Sequence, residues 1–137
     1  MNKIIPVSCA VIFFQDKILA VRRSPQMPLA GFWEFPGGKV EKAESAQQCL
    51  QREILEELNL KIQIGNELPL SEHSYIEGIT IQLIPFLAQI NSGEITLLEH
   101  DKYLWLGVNE LFEVNWAIAD IPIVQYLKEN WTELITD

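Results

Sequence analysis

Apolar and polar positions along the chain predict a sheet of several strands. The first apolar run, Ile4 to Phe14, is hydrophobic at nearly every position, which is typical of a strand buried on both faces. The polar residues 15–17 predict a turn into a second strand, Ile18 to Arg22. Further strands are predicted at Phe32 to Phe35, which stops at the Pro-Gly-Gly of 36–38, and at Ser71 to Tyr75, Ile79 to Ile90 and Lys102 to Leu106.

Two helices are predicted from capping residues and apolar spacing. Ser45 and Gln48 form a capping box, and Asn59 is a left-handed cap at the other end of the same helix. Between them one apolar stripe recurs every four residues: Ala46, Leu50, Ile54 and Leu58. A second helix is predicted from Ile121 to Trp131, with Pro122 in its first turn. Strands around an internal helix, with another helix at the end, predict an α/β fold in which helices sandwich a mixed sheet. We expect one domain over residues 1–137.

The charge balance is acidic and limits the partners. Nineteen Asp and Glu residues face ten Lys and Arg residues, which gives a formal net charge of −9. A protein that wraps duplex nucleic acid needs a basic face, so we expect no such partner. A small anionic substrate stays compatible with this charge, because bound divalent cations invert the local field.

Cysteine and histidine form no metal-binding pattern. Cys9 and Cys49 lie far apart without a Cys-x-x-Cys motif, which predicts reduced, buried thiols. His73 and His100 have no partner spacing and are expected at the surface or in loops. The apolar runs are too short for a signal peptide core or a membrane span, so we expect a cytoplasmic protein with no membrane partner.

Carboxylates cluster on the first predicted helix. Glu53, Glu56 and Glu57 are three and four positions apart, so they project from one side, away from the apolar stripe. Glu41 and Glu44, in the loop that enters the helix, add two more. Such a cluster is usually a solvated acidic face. A divalent cation with oxygen ligands would nevertheless offset the repulsion between these charges.

The spacing of the whole segment is more specific than the cluster. Gly38 is followed after five residues by Glu44, and after seven more by Arg-Glu-Ile-Leu-Glu-Glu-Leu-Asn-Leu, residues 52–60. This segment resembles the Nudix box, Gly-x5-Glu-x7-Arg-Glu-U-x-Glu-Glu-x-Gly-U, in which U is aliphatic. Only Asn59 departs from it, and asparagine also tolerates the left-handed conformation. A looser similarity to the MutT-type branch runs from about Ile4 to Leu127.

The resemblance implies a Nudix fold and metal-assisted cleavage of a phosphate chain. Mg²⁺, for which Mn²⁺ can substitute, would neutralise the phosphates and lower the pKa of the attacking water. Arg52 would orient Glu53, and Glu44 would support the loop against the helix. Which carboxylate acts as the general base stays open. The implied metal ligands are Glu53, Glu56 and Glu57, Glu99 from a distant loop, and a carbonyl of Gly37 or Gly38.

Substrate contacts are predicted with less specificity. Arg23 and Lys39 are candidates for phosphate binding, although basic side chains also commonly face solvent. Phe35 belongs to an aromatic run that is expected in the core, from which a ring can line the base pocket. Asp120 would contact the nucleobase by resemblance to the branch, and a helix N-cap is its alternative role.

The resulting hypothesis is a hydrolase that converts (d)NTPs to (d)NMPs and pyrophosphate. Its expected duty is the removal of an oxidised nucleotide such as 8-oxo-dGTP, a function in DNA repair. A CTP/dCTP pyrophosphohydrolase is the nearest alternative, followed by hydrolysis of nucleoside diphosphate-X compounds or dinucleoside polyphosphates. A catalytically silent binding module is disfavoured because all box carboxylates are present, and RNA 5′-pyrophosphate removal is disfavoured by the acidic balance. The oligomeric state is left open.

Overall fold

A computed structural model describes residues 3–135 as a mixed sheet with helices on both sides. The strands are β1 Lys3–Phe14, β2 Lys17–Arg22, β3 Trp33–Glu34, β4 Gly37–Lys39, β5 Lys61–Glu67, β6 Ser71–Ile76, β7 Ile79–Ser92 and β8 Lys102–Leu106. The helices are α1 Ala46–Leu58, α2 Ile121–Glu129 and α3 Trp131–Leu134, with 3₁₀ helices at Val108–Glu113 and Ile118–Asp120. Within residues 3–135 no helix is long and apolar enough to span a membrane.

Strand β1 is the centre of the sheet. It pairs in parallel with β7 and antiparallel with β2 and β4. The main strand order is β3-β2-β1-β7-β5, with β8 added to β2 and β6 added to β7. One parallel pair among antiparallel neighbours confirms the predicted mixed sheet.

The two faces of the sheet carry separate apolar cores. Along β1 the side chains alternate, so that Val11 and Phe13 enter one core while Ala10 and Ile12 enter the other. Helix α1 covers the second core with Leu50, Ile54 and Leu58. Helices α2 and α3 cover the first core, to which they contribute Ile123, Val124, Leu127 and Trp131. The predicted sandwich is confirmed, and its helix α1 packs against the sheet through buried apolar side chains.

The caps of α1 agree with the sequence. The Ser45 hydroxyl accepts a hydrogen bond from the Gln48 backbone amide at 3.0 Å, and the Gln48 side chain accepts from the Ser45 amide at 2.9 Å. Asn59 adopts the left-handed conformation with φ of 59°, and its amide donates to the Leu55 carbonyl. The capping box and the asparagine cap are therefore confirmed.

Three elements differ from the prediction. The Gly-Gly at 37–38 was predicted to end a strand, yet residues 37–39 form β4 against β1. Strand β5 was not predicted, because its mostly polar sequence has little alternation of buried side chains. The last helix was predicted to continue to Trp131, but it ends at Glu129. At this break the Asn130 side chain donates to the Tyr126 carbonyl, and α3 follows as a separate turn.

Candidate active site

The two glycines of β4 allow its backbone to approach other groups closely. A Cβ on Gly37 would lie 2.0 Å from the Ser8 carbonyl oxygen, so only glycine fits against β1. A Cβ on Gly38 would lie 2.2 Å from Oε2 of Glu53 on α1. The missing side chains therefore bring the β4 backbone directly against the carboxylate-bearing face of the helix.

Arg52 contacts three carboxylates around α1. Its guanidinium donates to both oxygens of Glu44, at 2.7 and 3.2 Å, and to Glu53 at 2.7 Å. The hydrogen bonds from Arg52 lower the pKa of Glu44 to about 2, with a further contribution from the Glu41 amide. Glu56 is 55% exposed and lies 3.4 Å from the same guanidinium. Arg52 and Glu44 thus connect the entering loop to Glu53, which is the geometry expected from the sequence.

Glu57 is buried, although its position on the side of α1 away from the apolar stripe predicted an exposed side chain. Its side chain is only 3% exposed, and its Oε1 atom has no hydrogen-bond partner among the described residues. Burial raises its pKa to about 10, and contact with Glu53 and the charges of Glu99 and Glu34 act in the same direction. The expectation failed because the segment after β7 folds over the end of α1 and covers this position.

That covering segment is fixed at both ends by hydrogen bonds. The Leu98 amide donates to the Glu57 carbonyl at 3.1 Å, which attaches the segment to α1. At its other end Asp101 accepts two hydrogen bonds from the Arg22 guanidinium, at 2.8 and 2.9 Å. Glu99 and His100 lie between these anchors and are thereby placed at the site.

His100 lies in a loop, which is one of the two places predicted for it, but it is buried in the site and not at the surface. It is 5% exposed, and its Nε2 atom lies 2.8 Å from Oε2 of Glu34. The other oxygen of Glu34 accepts from Arg23 at 2.7 Å. Arg23, Glu34 and His100 therefore form one continuous chain of charged and polar contacts. Neither Glu34 nor His100 was predicted as a site residue, because the contact between them spans 66 positions.

A cleft of about 220 Å³ collects most of the predicted residues. Its walls include Gly37 and Gly38 from β4, the helix carboxylates Glu53 and Glu57, and Glu99 with His100 from the covering segment. Arg23, Phe35 and Asp120 also line it. Lys39 is exposed and lies outside this lining, as does Glu56, so their proposed contacts stay predictions.

A divalent cation fits the chemistry of this cleft. The unpartnered Glu57 oxygen, next to Glu53 and Glu99, is a buried carboxylate that is costly to ionise without a positive charge nearby. Within residues 3–135 no three Asp, Glu, His or Cys side chains are arranged to hold a metal ion by themselves. Such a set is not required for Mg²⁺, which commonly takes one or two carboxylates and completes its shell with water and substrate phosphate.

A second, mainly apolar cavity of about 510 Å³ adjoins the cleft. The two share Arg23, Glu34 and Asp120 in their walls. Apolar side chains of β7, the ring of Tyr75, Pro28 and Leu29 line much of the remainder. A molecule with an anionic end and a flat, apolar end can therefore occupy both spaces at once.

Comparison with known proteins identifies the family. The model of the NUDIX domain matches residues 4–127, which is most of the chain. The chain belongs to the Nudix family. This membership confirms the resemblance of residues 38–60 to the Nudix box, and the chain is a Nudix hydrolase.

Relatives of this Nudix hydrolase include two differently named enzymes. The chain is 37% identical to the CTP pyrophosphohydrolase of Escherichia coli over 123 residues, covering 90% of each protein. It is 30% identical over 110 residues to the putative 8-oxo-dGTP diphosphatase 2 of Mycobacterium tuberculosis, covering 75% of this chain and 73% of that protein. The solution structure of the E. coli ORF135 protein matches with a TM-score of 0.83 and 32% identity, covering 99% of this chain and 96% of that chain.

Two roles were predicted for Asp120, a contact with the nucleobase and an N-cap of the last helix. It stands at the N-terminal boundary of α2, but its side chain makes no capping hydrogen bond there. Instead Oδ2 accepts from the Phe35 backbone amide at 2.9 Å. Burial raises the pKa of Asp120 well above its usual range, and the charge of Glu34 adds to the effect. In this Nudix hydrolase Asp120 therefore occupies the predicted N-cap position, but its side chain does not cap the helix, and its contact with a base stays a prediction.

The remaining sequence predictions concern the core. Phe35 is buried, and its ring packs on Trp116 with centroids 4.8 Å apart. Cys9 and Cys49 are free and buried, as expected. Cys49 lies beneath β4, with Sγ 3.4 Å from the Gly38 carbonyl oxygen, whereas Cys9 contributes to the wall of the cleft. The thiols thus support the site without forming a cluster of metal ligands.

Proposed function

We propose that the chain hydrolyses nucleoside triphosphates to the monophosphate and pyrophosphate with Mg²⁺ as the cofactor. The observation that carries this proposal is the junction of a carboxylate-lined cleft with an apolar cavity, which share Asp120, Glu34 and Arg23. The cleft matches a metal-bound phosphate chain, and the cavity matches a nucleobase.

Glu53 and Glu57 would hold the metal, with a carbonyl of Gly37 or Gly38 nearby. Arg52 orients Glu53 through its 2.7 Å hydrogen bond, and Glu44 holds the guanidinium from the other side. When bound, Mg²⁺ neutralises phosphate charge and lowers the pKa of a coordinated water. Glu99 lies on the wall of the same cleft and is available as a further ligand or as the base.

The first candidate substrate is an oxidised guanine nucleotide such as 8-oxo-dGTP. One oxygen of Asp120 is held by the Phe35 amide, and within residues 3–135 this carboxyl makes no other hydrogen bond. The second oxygen is therefore available for a base edge. When the carboxyl is ionised, this oxygen accepts from the additional N7–H donor of oxidised guanine, and when the carboxyl is protonated it donates to a base carbonyl. Mycobacterial and Buchnera relatives named 8-oxo-dGTP diphosphatases support this choice. The expected role is clearance of damaged nucleotides in the cytoplasm.

The second candidate is CTP or dCTP. It is supported by the E. coli relative named CTP pyrophosphohydrolase, which shares 37% identity over 90% of both chains. The exocyclic amine of cytosine also donates to a carboxylate, so Asp120 is compatible with either base.

A nucleotide panel tests these proposals. Hydrolysis of 8-oxo-dGTP, dGTP, CTP, dCTP, ADP-ribose and diadenosine tetraphosphate would be measured with Mg²⁺ and with excess EDTA. We expect monophosphate and pyrophosphate from a triphosphate, and no turnover in EDTA. Asp120→Asn should change the ratio of kcat/KM between 8-oxo-dGTP and dCTP, because the amide presents a donor as well as an acceptor. Turnover of ADP-ribose or the dinucleotide alone, or full activity in EDTA, would refute the proposal.

A further inference from the structure

Two side chains of strand β6 bind both backbone polar groups of a single residue, Ala119. The Ser71 hydroxyl donates to the Ala119 carbonyl at 2.6 Å. The Ala119 amide donates to the phenolic oxygen of Tyr75 at 2.8 Å. Ala119 therefore has its donor and its acceptor fixed from the same strand, although the two partners lie 44 and 48 positions away in sequence.

The shape of β6 places these two side chains at the right points. Ser71 pairs with Leu83 of β7 and is 4% exposed. Between the pairs His73–Ile81 and Ile76–Ile79, β6 has three steps where β7 has two, so one extra residue interrupts the register. Such a bulge redirects a side chain. The His73 ring contacts the Tyr75 ring edge-on at 4.6 Å between centroids, which holds the phenol in place.

Ala119 directly precedes Asp120, so its position determines where the Asp120 carboxyl points. The Asp120 amide donates to the Ala117 carbonyl at 3.0 Å, and Oδ2 accepts from Phe35. The 3₁₀ turn at 118–120 is thus connected to β6 on one side and to the β3–β4 link on the other. Hydrogen bonds therefore hold the backbone before Asp120 and one oxygen of its carboxyl.

We propose that Ser71 and Tyr75 are positioning residues that set base discrimination by fixing the Asp120 carboxyl. The proposal rests on the proposed function, since it requires a base in the apolar cavity next to Asp120. Without the Tyr75 hydroxyl the Ala119 amide has no acceptor in the described structure, and the 3₁₀ turn is free to shift. A displaced carboxyl still occupies the pocket but no longer distinguishes one base edge from another.

The test compares Tyr75→Phe and Ser71→Ala with a matched control, Ser74→Ala. Ser74 is on the same strand, but its hydroxyl is exposed and bonds to Thr80 at 2.9 Å, away from Ala119. The readout is kcat and KM for the triphosphate that the wild type prefers and for one that it disfavours, both at saturating Mg²⁺. We expect Tyr75→Phe and Ser71→Ala to reduce the discrimination about five- to tenfold, as for one lost hydrogen bond. The change should appear in KM, with kcat and the Ser74→Ala control within about twofold of wild type.

A double-mutant cycle separates positioning from direct contact, because Tyr75 also lines the cavity. If Tyr75 acts through Asp120, Tyr75→Phe should have no further effect on discrimination in an Asp120→Ala background. An undiminished effect in that background would assign Tyr75 to direct base contact and overturn the proposal. Amide hydrogen exchange gives a readout without substrate, since Ala119 should exchange faster in Tyr75→Phe than in Ser74→Ala.

Failure of this inference is distinguishable from failure of the proposed function. A wild-type protein that turns over no triphosphate would refute the function itself. A wild-type protein that discriminates between bases, together with a Tyr75→Phe variant that discriminates equally well, would refute only the positioning role. Unchanged exchange at Ala119 in Tyr75→Phe would likewise refute it.

Discussion

Nδ1 of His100 lies 4.0 Å from Oε1 of Glu57, and neither atom has a hydrogen-bond partner among the described residues. The other nitrogen of His100 contacts Glu34, which faces the apolar cavity. One buried ring therefore connects the helix carboxylates of the cleft to Glu34 at the apolar cavity.

The first prediction concerns His100 itself. His100→Leu should lower kcat about tenfold or more, because Glu34 loses the partner that orients it and Glu57 gains an apolar neighbour. His100→Gln should retain more activity, since its amide can still donate to Glu34. Steady-state kinetics of both folded variants checks this. Equal kcat for wild type and the leucine variant would show that His100 only fills space.

The second prediction follows from the pKa of Glu57, which is raised from 4.5 to about 10. Because the folded state holds this proton more tightly than the unfolded chain, its contribution to stability is fully present below about pH 4.5. That contribution is lost as pH rises toward about 10, by at most about 1.4 kcal/mol per pH unit.

Urea unfolding in EDTA across roughly pH 6 to 9 measures this dependence. Other buried groups also titrate, so the informative quantity is the difference between wild type and Glu57→Gln. The glutamine variant should lose stability less steeply with pH, and Mg²⁺ should stabilise the wild type more at the alkaline end. Parallel curves for the two proteins would contradict the assigned shift.

The third prediction contrasts neighbouring glycines. A Cβ on Gly38 meets the end of the Glu53 side chain, which can move, whereas a Cβ on Gly37 meets the backbone of β1, which cannot. Gly38→Ala should therefore lower kcat with a small loss of stability. Gly37→Ala should lower the free energy of unfolding by roughly 1–3 kcal/mol or more through overpacking. Thermal unfolding and steady-state kinetics of both variants measure these effects. Equal losses of stability in Gly37→Ala and Gly38→Ala would contradict the prediction.

The fourth prediction tests the buried face of α1. Leu50 is fully buried in the core between α1 and the sheet, whereas Leu55 on the same helix is 44% exposed. Leu50→Ala should cost about 2–5 kcal/mol, and Leu55→Ala much less. Denaturant unfolding of both variants gives the comparison. Equal losses in the free energy of unfolding for Leu50→Ala and Leu55→Ala would show that burial of Leu50 does not stabilise the protein.

Local signals account for the parts of this protein that sequence predicts well. The caps Ser45 and Asn59 and the four-residue apolar stripe determine α1 within one turn of its ends, and unbroken hydrophobicity determines β1. Burial of Glu57 and His100 depends instead on where the segment after β7 lies, which contacts between distant positions determine. The Asp120 carboxyl likewise bonds across 85 positions, so helix-capping statistics pointed to the wrong partner. The carboxylate side chains of the site were therefore predictable from the sequence, whereas the burial of Glu57 and His100 was not.

The carboxylates of the site and the lining of its apolar cavity come from different segments of the chain, and this separation has an evolutionary consequence. The helix carboxylates and the glycine backbone belong to one continuous stretch, 37–58, whereas the apolar cavity is lined by residues of β1, β6, β7, the segment 23–34 and the turn at 117–120. Mutations in those distant segments can accumulate one at a time without touching the groups on α1. After gene duplication, one copy of such an enzyme can therefore change its nucleotide specificity while the residues on α1 stay the same.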